Sequence, residues 1–173
     1  MPHPRQLIRD AVVTALTGST AAGSRVYATK WIATRRSEMP EITVSITDEP
    51  VDDIGDSAPR EYFRRPSIIV EAFVGAVGVA DIDNTVDDLA SEIEAAMDVD
   101  RYFGGVLSDS RLSGTEIDVD TEGDRLTARL TLTYVGLYFT YPDAPTLDDE
   151  FTTVEASFDL GADAPTVDQF DVK

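Results

Sequence analysis

Residues Arg125 to Tyr141 alternate apolar and polar side chains, and no other stretch constrains the fold as much. Leu126, Ala128, Leu130, Leu132 and Tyr134 share one face of that run. A period of two over this length demands a long strand with one face buried. A buried strand needs partners, and the chain offers several. Glu41 to Thr47 sets Ile42, Val44 and Ile46 against Thr43, Ser45 and Thr47. Ser67 to Val74 is nearly all apolar and β-branched, as a central strand covered on both faces should be. Thr115 to Asp120 also alternates, and the turn at Glu122-Gly123-Asp124 predicts a hairpin with the long strand. Arg25 to Trp31 predicts a further strand, with Val26 and Ala28 on one face.

Two segments carry helical periodicity instead. Leu7, Ile8, Ala11, Val12, Ala15 and Leu16 form a stripe over about residues 4–17, opened by Pro4 and closed by Gly18. Val86, Leu89, Ala90, Ile93, Ala96 and Met97 form a second stripe over Asn84 to Asp98. Asn84 is the expected N-cap there, with Asp87 and Asp88 in the first turn. The order of elements predicts an α+β fold: a mostly antiparallel sheet of about four to six strands with two helices packed on one face. Residues 1–141 read as a single domain and 142–173 as an acidic C-terminal extension, partly strand. Residues 48–61 read as a long loop.

Charge narrows the function. The 173 residues hold 14 Lys or Arg against 33 Asp or Glu, a formal net charge of −19. Residues 1–80 carry nine basic and ten acidic residues, and residues 81–173 carry five and 23. Adhesion to nucleic acid or anionic lipid requires clustered Lys and Arg, so both are excluded as main activities. The longest apolar stretch, Ile68 to Ala80, is interrupted by Glu71 and too short to span a membrane. The N-terminus lacks a signal-peptide pattern, so a soluble intracellular product is expected. Absence of cysteine rules out disulfides, thiolate metal sites and cysteine nucleophiles.

Two short motifs resemble known chemistry. Asp81-Ile-Asp83-Asn84-Thr85 is similar to the first motif of the haloacid-dehalogenase phosphatases, with Asp81 as nucleophile and Asp83 as acid/base. The downstream Lys and second acidic pair of that chemistry are missing, and the same residues serve as the opening of a helix. Asp118 to Asp124 resembles the front of a calcium loop, but the twelfth position is Arg129 rather than an acid, and the flanks read as strands. His3 stands alone near the terminus. No enzyme, cofactor or metal is expected.

The remaining candidates are surface residues for a subunit or partner interface. Arg60, Tyr62, Arg64 and Arg65 follow Asp52, Asp53 and Asp56, and Arg35 and Arg36 form a second basic pair. Arg favours bidentate pairing with carboxylates at interfaces, and aromatic neighbours add anchors. A solvated loop is the competing reading.

The ordered features resemble a family. Pro4-Arg5-Gln6-Leu7-Ile8-Arg9-Asp10-Ala11 opens the first helix and Ala22-Gly23-Ser24-Arg25-Val26-Tyr27 makes the turn after it. Pro40-Glu41-Ile42-Thr43-Val44-Ser45-Ile46 then leads into an acidic exit, followed by an Arg-bearing strand, a helix and a hairpin. In that order the chain resembles the tail terminator (tail-completion or minor tail) proteins of long-tailed viruses, over about residues 1–141. The resemblance implies a homo-oligomeric ring of six subunits at the head-tail junction of the virion, made in the host cytoplasm. The ring would cap the tail tube protein, stop its polymerisation and meet a neck or connector protein, while genome DNA passes through without specific binding. A tube subunit or connector is the neighbouring alternative.

Asp outnumbers Glu by 22 to 11, and Lys occurs only at Lys30 and Lys173. Such a surface repels itself in dilute salt, and salt screens the repulsion. A virus of a halophilic host would carry this composition. Thermal unfolding should move to higher temperature as KCl rises to molar concentration. A chain most stable near zero salt would contradict that adaptation.

Overall fold

The structure, a computed structural model, describes residues 2–30, 36–53, 60–76, 79–120, 126–142, 153–154 and 170–171. The chain divides into two units, Met1–Pro142 and Asp143–Lys173. In the first, the long alternating run becomes β7 (Leu126–Thr140) and lies inside the sheet. The other elements are α1 (Pro4–Leu16), β1 (Val26–Ala28), a 3-10 turn (Arg36–Glu38), β2 (Glu41–Asp48), β3 (Val51–Asp53), β4 (Tyr62–Arg64), β5 (Ser67–Ala76), α2 (Val79–Asp98) and β6 (Asp109–Asp120). In the second unit, β8 (Thr153–Val154) pairs antiparallel with β9 (Phe170–Asp171).

Seven strands form the main sheet, and their registers reduce them to five long ones. Ser67 pairs with Val135 and Arg64 with Tyr138, so β4 and β5 follow β7 in one unbroken register across Arg65 and Pro66. The Gly136 N–H donates to the Pro66 carbonyl at 3.0 Å and keeps that rung. A Cβ on Gly136 would sit 3.1 Å from Leu107 and 3.2 Å from Pro66, so a larger residue would press on both side chains. β2 and β3 likewise run beside β5 and β4, with a bulge between Ile46 and Asp48. β6 pairs with the other side of β7, and β1 adds to β2 as the one parallel pair. The fold is α+β, with a mostly antiparallel sheet and two helices.

Both helices cover the same face. α1 packs on β1 and β2, α2 packs on β5 and β7, and the helices touch each other. Ile8, Val12 and Leu16 of α1 and Ile82, Val86, Leu89, Ile93 and Met97 of α2 meet Ile42, Val44, Ile68, Val70, Ala72, Leu130 and Leu132 of the sheet. α1 starts with Pro4 at its first position, and the His3 side chain caps it by accepting from the Arg5 N–H at 3.2 Å. Gly18, at φ 76°, turns the chain after the helix. Glu92 of α2 accepts the Ala21 N–H at 2.6 Å and ties this turn to the second helix.

Several expectations change. α2 begins at Val79 rather than Asn84, so Asn84 lies inside the helix and Asp81 occupies the first turn. The apolar residue Ile82 extends the buried stripe upstream, and packing outweighs the capping signal. Three residues of the expected 48–61 loop form β3, because β4 is there to pair with them. β6 begins at Asp109 rather than Thr115, carried past Gly114 by a bulge that hides its period. Trp31, Arg35, Asp56 and the hairpin tip at 121–125 lie outside the described residues, as does most of the 151–160 alternation. Among the described residues, no helix is long and apolar enough to cross a membrane.

Leu132 is fully buried between the helices and β7's neighbours. Leu132→Ala should cost about 3 kcal/mol through lost transfer energy and a residual cavity. Urea unfolding measures it, and a loss under about 1 kcal/mol would contradict the packing described.

Candidate interface: an arginine and aromatic arm

The helices stop short of one end of the sheet. There β3, β4 and the last residues of β7 continue as a three-stranded arm, pairing Val51 with Arg64 and Arg64 with Tyr138. Strand alternation sorts its side chains. Arg64 and Tyr138 point to the helix side, whereas Phe63 and Phe139 share the opposite face with ring centroids 5.2 Å apart.

The helix side is a closed charge network built on Glu49. Its side chain is only 8% exposed. It accepts a hydrogen bond from the Tyr138 hydroxyl and faces Arg64 Nη1 at 3.2 Å. Arg5 Nε, from the first turn of α1, lies 3.7 Å from the same carboxylate. Arg64 also donates through Nε to Thr140 Oγ1 at 2.8 Å. Burial, then the Glu49 hydrogen bond, pushes the Tyr138 phenol well above its ordinary pKa. Arg64 is thereby used within the chain, clamping the arm to α1.

The opposite face is open. Arg65 pairs with Asp52 at 2.7 Å and stands 5.9 Å over the Phe63 ring. Asp53, beside Tyr62 on the Arg64 face, lies 3.9 Å from Arg60, and both side chains are about half exposed or more. The Tyr141 hydroxyl donates to Glu61 at 2.7 Å. Phe139 and Tyr141 are 42% and 62% exposed, which is high for rings of this size. Tyr62 is half-buried opposite Thr140. The arm thus brings together Arg60, Tyr62, Arg65, Asp52 and Asp53, turns Arg64 inward, and adds Glu49, Tyr138, Phe139 and Tyr141. The buried face of the 125–141 alternation, extended by four residues from Tyr134, marks Tyr138. Nothing local marks Glu49, whose partners are 15 and 89 residues away. The Arg36 backbone lies in the 3-10 turn, away from the arm in sequence.

The catalytic lookalikes fare differently. Asp81 and Asp83 are exposed on α2, where a two-residue step turns them about 200° apart. They do not converge from a strand end. Asp118 and Asp120 lie in strand β6, with Arg129 Nη2 at 3.3 Å from Asp118. Among the described residues, no group of His, Asp or Glu is placed to hold a metal ion.

No family model matches this chain. No curated protein matches it. Among solved structures, a chain from the virion of a native gene transfer agent particle is similar over 78% of this chain and 92% of that chain, at 16% identity and a TM-score of 0.33. A TM-score that low decides neither fold nor role.

The two faces of the arm should respond oppositely to mutation. Glu49→Ala leaves Arg64 and Tyr138 without their shared acceptor and should cost about 2 kcal/mol. Arg65→Ala, on the exposed face, should change stability by less than about 1 kcal/mol. Chemical denaturation of the two variants checks this, and equal losses would contradict the division.

Proposed function

We propose that the chain is a structural virion protein of a long-tailed virus, acting as a tail terminator. Copies form a ring, six by the family resemblance, that caps the tail tube, halts its growth and meets the neck or connector. The observation that carries this reading is the arm. Its exposed Arg and aromatic side chains have the composition of a protein contact. Arg60 and Arg65 stand on a surface otherwise dominated by acids, and the neighbour's acidic α2 offers Asp83, Asp87 and Asp88, all exposed. Paired this way, the contact is heterologous, the class that closes rings.

The acidic balance fits a channel component. Carboxylates repel phosphate, so genome DNA passes such a surface without adhering. The same composition fits a virus whose host keeps molar salt. Asp81 and Asp83, placed apart on a helix, give the phosphatase alternative no geometric support.

The test is assembly with tail tube protein. Electron microscopy of tube protein mixed with this chain should show tubes of limited length bearing a terminal ring. Arg60→Glu combined with Arg65→Glu should abolish the cap while leaving the fold intact by circular dichroism. Long tubes formed by this chain alone would identify a tube subunit and overturn the terminator reading.

A further inference from the structure

Strand β6 departs from the rest of the sheet. Residues 111–120 are exposed in every position, although they pair with β7 along their length. The two helices cover β1, β2, β5 and β7 and stop one strand short. Leu112, Ile117 and Val119 lie on the helix side, yet are 39%, 48% and 39% exposed. Among the described residues, no strand pairs with the outer edge of β6. A long, flat edge with bare apolar residues is a template for another strand.

Backbone geometry states what that edge presents. The Gly136 N–H bonds to Pro66, so even-numbered residues of this part of β7 bond towards β5 and odd-numbered ones towards β6. Gly114, Glu116, Asp118 and Asp120 stand opposite odd-numbered β7 residues and use their backbone groups on β7. Thr115, Ile117 and Val119 therefore aim N–H and C=O outwards. The outward backbone and the bare apolar side chains belong to the same residues, Ile117 and Val119. The acids Glu116, Asp118 and Asp120 form a row on the opposite face.

Pairing with a second β6 is disfavoured. Antiparallel registers that match outward backbones place Glu116 against Glu116 of the other copy or against its Asp118, and like charges directly opposite are destabilising. The other edge of the same sheet fits instead. Arg25 C=O and Thr29 N–H bond to β2, both at 2.9 Å, so Val26 and Ala28 of β1 aim their backbone groups outwards. Their side chains lie on the helix side, in register with Ile42 and Val44. Arg25 and Tyr27 lie on the other face, and Tyr27 is 39% exposed. β1 is parallel to β2, and three antiparallel steps separate β2 from β6, so β1 and β6 run in opposite directions.

We infer that copies of this chain join head to tail by antiparallel addition of β1 of one copy to β6 of the next. Val26 and Ala28 stand opposite Val119 and Ile117. Tyr27 stands opposite Asp118, which also faces its own Arg129, and Arg25, whose Nε donates to the Pro40 carbonyl at 2.8 Å, stands opposite Asp120. Apolar meets apolar on one face, and donors meet carboxylates on the other. The incoming copy brings α1, packed on its own β1, next to the face of β6 that no helix covers. The contact deepens the ring reading and rests on it for closure, whereas the pairing itself rests on the chemistry of the two edges.

Mixing two one-sided variants tests the pairing. Ile117→Pro removes only an outward N–H of β6, and Ala28→Pro removes only an outward N–H of β1. Native mass spectrometry and light scattering in molar salt should show oligomers for the unmodified chain and monomers for each variant alone. An equal mixture should give one-to-one dimers, since it retains one working pair of edges. Circular dichroism confirms that each variant is folded. A second pair, Arg25→Asp with Asp120→Arg, should lose assembly singly and regain it together. The inference is overturned if the unmodified chain stays monomeric, if the mixture stays monomeric, or if Ala28→Pro alone still dimerises, which would mean β6 pairs with itself. Head-to-tail oligomers that grow without closing would uphold the pairing and refute the ring.

Discussion

Strand β7 is hydrogen-bonded on one side by β4 and β5 in a single register and on the other by β6, and its alternation assigns every side chain around it to a face. Leu130 and Leu132 go under the helices, Tyr138 goes to the Glu49 network, and Phe139 goes to the open face of the arm. A slip of one residue would reverse all of these assignments together. Gly136 holds the register where β4 passes into β5, because its N–H bonds to the Pro66 carbonyl and its bare Cα lets Leu107 and Pro66 pack closely. The arm, its clamp on α1 and the bare edge of β6 all follow from this one ladder.

The elements with an uninterrupted period were legible in the sequence. The stripe over Leu7 to Leu16, the alternation of Ile42, Val44 and Ile46, and the face shared by Leu126 to Tyr134 led to α1, β2 and β7. Where a second influence entered, the reading shifted. The bulge between Leu112 and Gly114 broke the period of β6 and hid its first half. Asp81, Asp83 and Asn84 suggested a helix start, but Ile82 buried against the sheet carried α2 further upstream. β3 has no local signal, because Val51 to Asp53 become a strand only through β4. The interface residues were legible by type and not by direction. Three arginines stand within six residues, and only their three-dimensional partners show that Arg64 is drawn in by Glu49 while Arg60 and Arg65 keep more exposed side chains.

The charge acquires a geometry as well. Among the described residues, acids after residue 80 stand on the exposed side of α2 and on one face of β6, whereas Arg25 directly precedes β1 and Arg60 and Arg65 stand on the arm. Arg25 thus stands beside one edge of the sheet and the row Glu116, Asp118 and Asp120 at the other, while the arm sets Arg60 and Arg65 beside Asp53 and Asp52. In the proposed pairing, like edges repel and unlike edges attract. Salt weakens both effects, the repulsion over long range more than the short contacts within paired strands. Lys30, the one lysine before the terminus, is held inside the fold by both oxygens of the buried Glu41, at 2.8 and 2.7 Å. That hydrogen bond, foremost among several causes, raises the Lys30 pKa and keeps the ammonium charged.

Amide hydrogen exchange resolved to single residues of β6 tests the account most directly. Glu116 and Asp118 bond to β7 within one copy, so their amides should be protected in dilute monomer and assembled protein alike. Thr115, Ile117 and Val119 aim outwards, so their amides should exchange rapidly in the monomer and become protected on assembly, together with Val26 and Ala28 of β1. Assembly that leaves the outward amides of β6 exchanging as fast as in the monomer would contradict the claim that copies join through this edge.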